Sequence, residues 1–230
     1  MGLRSDVMTA TDDLTVEELR LELAPRIAAA AVFDGWSAEA VAAAASEAGV
    51  DPHVAAYAFP GGAMDMIAAW IGHVDAAMER ELPAAAFADI PVHKRVRRLL
   101  QFRLGAVTGQ EEALRRALAI MAMPQNAPRS LRLGWESADA MWRLAGDVAT
   151  DYNHYTKRAI LAGVYTATLA IFVDDKSDDK AETLAFLDRR LAGIGRFEKA
   201  KTQLLGNSED RPSLVRFLGR LRYPDRHPRF

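Results

Sequence analysis

The chain has 230 residues with 29 Lys and Arg against 31 Asp and Glu, half of its residues hydrophobic and a mean hydropathy of -0.08. This is the composition of a globular domain with enough chain for a sizeable core, not of a membrane-embedded one. The absence of cysteine excludes a disulfide framework and any Cys-ligated zinc or iron-sulfur site, and it suits a reducing compartment.

Residues 1–14 hold no apolar run of signal-peptide length and read as a disordered lead. Helix-period patterning rich in Ala, Leu, Glu and Arg fills the rest, and strand-like alternation is nearly absent, so the expected class is all-α with about ten helices. Thr15 caps a first helix that stops at Asp34-Gly35. Ser37 caps a second that stops at Gly49, and a short third covers Pro52 to Ala58. Pro60-Gly61-Gly62 precedes a fourth, and further helices are expected near 92–107, 110–123, 129–148, 153–173, 178–205 and 213–223. The expected division is the lead, a helix-turn-helix-like region at 15–82, a helical body at 83–206, and a linker with an amphipathic helix at 207–230.

Gly35-Trp36-Ser37-Ala38-Glu39-Ala40-Val41, the turn at Gly49, and Tyr57-Ala58-Phe59 resemble the DNA-reading end of tetracycline-repressor-type regulators. A DNA reader must neutralise phosphates, and that term supplies the baseline affinity for any sequence. Here residues 27–79 contain no Lys or Arg, while seven acids, from Asp34 to Glu79, give -7. The short third helix offers only His53 as a polar reader. No nucleic-acid partner is expected, and the motif reads as a packing scaffold, with a ligand-sensing tetracycline-repressor-type transcription regulator as the alternative.

Three central runs stand apart: Met123-Pro124-Gln125-Asn126-Ala127-Pro128-Arg129-Ser130, Asp139-Ala140-Met141-Trp142-Arg143-Leu144-Ala145-Gly146-Asp147, and Thr150-Asp151-Tyr152-Asn153-His154-Tyr155-Thr156-Lys157-Arg158. With Gly35-Trp36-Ser37 upstream and Thr183-Leu184-Ala185-Phe186-Leu187-Asp188-Arg189-Arg190 downstream, they resemble the coenzyme Q biosynthesis accessory family, the COQ-nine family. The resemblance implies a regulator-fold homodimer, with a seam near 183–204, that binds isoprenoid, quinone or phospholipid and does no chemistry of its own. It further implies a role of presenting intermediates to the di-iron demethoxyubiquinone hydroxylase, from a cytoplasmic position on the surface of the inner membrane. The family's partner patch carries over to Asp139, Tyr155 and Arg158, joined here by Trp142, Asp151 and His154. His154 stands where animal members carry tryptophan.

Read without the family, Asp151, His154, Tyr155 and Arg158 fall at i, i+3, i+4 and i+7, which places an acid, an imidazole, a phenol and a guanidinium on one helical face. The same residues also read as a solvated face in which Asp151 caps the helix and Arg158 answers a nearby acid. Residues 159–173 are apolar around the whole circumference, and such a helix is expected to be enclosed by others. Its small residues leave room for a lipid chain beside Leu118, Met121, Met123, Trp135, Met141, Tyr165, Leu169 and Phe172, or the helix is an ordinary filled core.

In the last segment Leu214, Phe217, Leu218 and Leu221 form a stripe among Arg211, Arg216, Arg220 and Arg222. Six arginines against Asp225 give residues 211–230 a charge of +5, which suits a helix lying on an anionic membrane or one docked on protein. Paired Glu-x-x-His motifs, a nucleophile elbow and a phosphate loop are all missing from the sequence, so neither catalysis nor a cofactor is expected.

Overall fold

The computed structural model describes residues 14–147 and 152–205, with only the helical backbone for 152, 153 and 194–205. Asp151 and the proposed membrane residues Leu214, Arg216, Phe217, Leu218, Arg220, Leu221 and Arg222 lie outside the described residues. Among those described there are nine α-helices and no strand: α1 (Val16–Asp34), α2 (Ala38–Ala48), α3 (Pro52–Ala58), α4 (Ala63–Glu81), α5 (Val92–Ala106), α6 (Glu111–Met121), α7 (Ala127–Leu144), α8 (Tyr152–Phe172) and α9 (Ala181–Leu205). The chain forms two units, the first ending at Asp188 and the second beginning at Arg189 with the remainder of α9.

Thr15 opens α1 through a capping box: its hydroxyl accepts from the Glu18 N–H at 3.3 Å, and Glu18 accepts from the Thr15 N–H at 2.9 Å. Leu19, Leu23, Ala24, Ile27, Ala28 and Ala31 then form the buried stripe. Gly35 takes φ +70, a conformation open to glycine, and turns the chain into the Ser37-capped α2. Alanines at 40, 44, 45, 55 and 58 let α1, α2 and α3 approach closely. Trp36 ties this end to the body: its Nε1–H donates to the Ala113 carbonyl at 3.0 Å, and its ring lies 5.4 Å from that of Trp70. The expected helix-turn-helix therefore forms, while Val54 and Tyr57 of α3 face outward.

Several helix boundaries move. The helix expected to reach 148 stops at Leu144, because Gly146 at φ +85 and a bond from the Asp147 N–H to the Trp142 carbonyl close it. The helix expected over 110–123 shortens to Glu111–Met121. The one expected from 178 starts at Ala181 after a single turn at Asp178–Lys180, where Asp179 and Lys180 have φ of 51 and 56.

Burial of α8 also departs from expectation. Leu161, Tyr165, Thr168, Leu169 and Phe172 are buried, but Ala159, Gly163, Thr166, Ala167 and Ala170 are exposed, so among the described residues the helix is covered on one side only. Small side chains make the uncovered side cheap to leave open, since each exposes little apolar area.

Candidate functional site

Helices α4, α5, α6, α7 and α8 line a cavity of about 780 Å³ that is open to solvent beside the exposed face of α8. Its walls are Ile67, Trp70, Ile71 and Val74 from α4, Leu114, Leu118 and Met121 from α6, Leu131, Gly134 and Trp135 from α7, and Ala162, Gly163, Tyr165, Thr166 and Leu169 from α8. Glycine inside a helix costs about 1 kcal/mol relative to alanine, so two of them in one set of walls need a reason. The geometry supplies one: a Cβ added at Gly134 or Gly163 meets nothing within 4 Å. Both glycines border open space.

One charged group breaks the apolar lining. Arg103 continues the α5 stripe Val96, Leu99, Leu100, Arg103, Leu104 and is only 2% exposed. It pairs with Asp75, donates to Ser137 Oγ at 3.2 Å, and lies 4.9 Å over the Tyr165 ring. Ser137 in turn donates to Asp75 at 3.0 Å.

Beside the cavity, α7 and α8 are joined by an ion network. Arg158 reaches Asp139 at 2.5 Å and Asp147 at 3.1 Å, and Lys157 reaches Asp147 at 2.8 Å. Burial pushes the Asp147 carboxyl up, but the Lys157 and Arg158 donors outweigh it and hold the group below its ordinary range. Asp139 also meets Arg143 at 3.3 Å, one turn along α7 as its spacing predicts. The indole of Trp142 donates to the Lys157 carbonyl at 3.1 Å.

On the outer side of α8, Tyr155 is 62% exposed and stacks against Trp135 with ring centroids 5.9 Å apart, while His154 lies 5.1 Å from Tyr155. Trp135 thus belongs to the cavity wall and to this aromatic cluster at once.

The candidate patch is therefore split. Tyr155 is outward and His154 half-buried, but Arg158 is 2% exposed and serves as an internal tie, so the single displayed face read from i, i+3, i+4, i+7 spacing does not include its guanidinium. Of the expected pocket residues, Leu118, Met121, Trp135, Tyr165 and Leu169 line the cavity. Met123, Met141 and Phe172 do not. Met123 lies past the end of α6 and is exposed, Met141 is wholly buried, and Phe172 is buried with the Lys180 ammonium 4.7 Å from its ring.

Arg103, Asp75, Ser137 and the α4 wall escaped the sequence reading. The available signal was an arginine at i+7 of the α5 apolar stripe, together with the two glycines inside helical runs. Among the described residues no group of three or more His, Asp or Glu is placed to hold a metal ion, and no single helix is long and apolar enough to cross a membrane.

Residues 127–198, from α7 into α9, match the family model COQ9. The chain is 35% identical over 164 residues to a rat protein named "Ubiquinone biosynthesis protein COQ9, mitochondrial", covering 68% of this chain and 52% of that protein. Its cattle counterpart is 33% identical over 165 residues, covering 69% and 51%. The chain thus spans about half the length of the curated relatives it matches. In fold it is similar to a TetR transcriptional regulator from Nitrosomonas europaea, with a TM-score of 0.60 at 19% identity over 76% of this chain and 96% of that one. That likeness concerns architecture alone, whereas the central motifs, the matched stretch and the sequence relatives agree on descent: the chain belongs to the COQ9 family.

Proposed function

We propose that this protein serves ubiquinone biosynthesis as a non-catalytic accessory that binds an isoprenoid or quinone lipid in the cavity and presents it to the demethoxyubiquinone hydroxylase. The observation that carries the reading is the apolar cavity itself, with Gly134 and Gly163 in its walls at positions where larger residues would meet no obstacle. Apolar pockets between helices are common ligand sites, and the two glycines keep this one wide. The names of the rat and cattle relatives support the pathway.

The exposed Tyr155, stacked on a cavity-wall tryptophan, is a fitting contact for the hydroxylase, with Asp139, Trp142 and Arg158 holding the helices behind it. Residues 211–230, at +5, would hold the protein peripherally on the cytoplasmic face of the inner membrane. A homodimer through 183–204 completes the proposal. DNA reading is disfavoured by the outer side of α3, which offers His53, Val54 and Tyr57 and no cation.

Transfer of a fluorescent isoprenoid-tailed quinone from vesicles tests the reading. Full-length chain should remove the lipid and carry it through size exclusion. Lipid left wholly in the vesicles at micromolar protein would contradict it, and turnover of a demethoxyquinone by the protein alone would contradict the non-catalytic part.

A further inference from the structure

Among the described residues Arg103 is the one charged group in the cavity lining, and its donors are not all used. Asp75 takes one Nη1–H and Ser137 takes one from Nη2, but Nε, buried from solvent, has no acceptor among the described residues. A buried unsatisfied donor costs stability, about as much as a polar group removed from water without a partner. An arginine needed only to neutralise Asp75 gains nothing from facing an apolar space.

We propose that Arg103 is the polar anchor of the cavity, donating to an oxygen of a neutral amphiphile whose hydrocarbon part lies along the α4, α6 and α8 walls. The charge argument selects neutrality: Asp75 already balances Arg103, and the rest of the lining would leave an anionic head without a counter-ion. Carbonyl, phenol and ether oxygens fit, and a ring bearing them can lie beside Tyr165, whose own ring is capped by the guanidinium. Nε is covered, so the anchor requires the guanidinium to turn its Nε edge toward the cavity on binding while Nη1 stays on Asp75. An unused donor thereby gains its acceptor on binding, and the site discriminates against hydrocarbon ligands that leave it unpaired.

The inference rests on the cavity being a lipid site, and two probes of similar bulk separate the two ideas. One is a decyl-tailed dimethoxybenzoquinone, the other decylbenzene, which lacks oxygen and is the more hydrophobic. On the full chain the quinone should bind about tenfold tighter despite its lower hydrophobicity, as a hydrogen bond to a charged group implies. The double variant Arg103→Met with Asp75→Asn, which leaves no buried orphan charge, should bind both probes alike. Equal affinities on the wild-type chain, or an undiminished quinone preference in the variant, would overturn the anchor. Because the wild-type comparison needs no variant, a double variant that fails to fold leaves the test intact. Failure of both probes to bind would sink the lipid reading itself.

Discussion

Arg158 and Tyr155 sit less than one turn apart on α8, yet their environments are opposite. Arg158 answers Asp139 and a buried Asp147, so Arg158→Met leaves only Arg143 and Lys157 to meet those carboxylates and should cost roughly 2 kcal/mol in urea unfolding. Tyr155→Ala, at an exposed position, should change stability by less than about 1 kcal/mol while weakening any partner contact made there. Equal losses in both variants would contradict the division of roles. Asp175, before α9, accepts from the N–H and hydroxyl of Ser177 and of Thr183 at 2.5–2.8 Å. Burial pushes its carboxyl up, but those donors prevail and hold it well below the ordinary carboxylate range. A depressed folded pKa means that its contribution is complete above the unfolded value, near 4, and is lost as pH falls through the folded one. Asp175→Asn should therefore lower Tm at neutral pH and flatten the fall of Tm below about pH 4; parallel wild-type and variant curves in acid would refute this.

Helix α8 shows where periodicity stops being informative. Capping and turn chemistry made most elements legible, since Thr15, Ser37 and Gly49 act locally and their partners are a few residues away. Apolar periodicity gave α8 as a helix, but an apolar face looks the same in sequence whether a neighbour fills it or a cavity borders it. For the same reason Met141 and Phe172 were plausible cavity residues and turned out to be filled core, while Arg103 was hidden in an apolar stripe. Gly163→Leu is the direct probe of this element. A Cβ there meets nothing, and removal of a helical glycine favours the helix, so stability should hold or rise by about 1 kcal/mol while the cavity loses volume. A drop in Tm of several degrees would show that the space beside Gly163 is filled.

At the scale of the molecule, the charge distribution departs from what the shared fold alone would suggest. The chain keeps the regulator fold, yet residues 27–79 carry -7 and residues 211–230 carry +5. The helix-turn-helix end should hold no duplex DNA, because residues 27–79 contain no Lys or Arg to meet phosphates. Any low-salt shift should therefore come from residues 211–230 and vanish when they are removed. A shift that survives removal of residues 211–230 would contradict this and favour a transcription regulator. Native mass spectrometry of the full chain beside Gly163→Leu, both gently extracted from the same membranes, tests the central claim most directly. The wild-type protein should carry one lipid per chain and the variant markedly less; bare masses for both, or equal loading of both, would contradict a lipid site in the cavity.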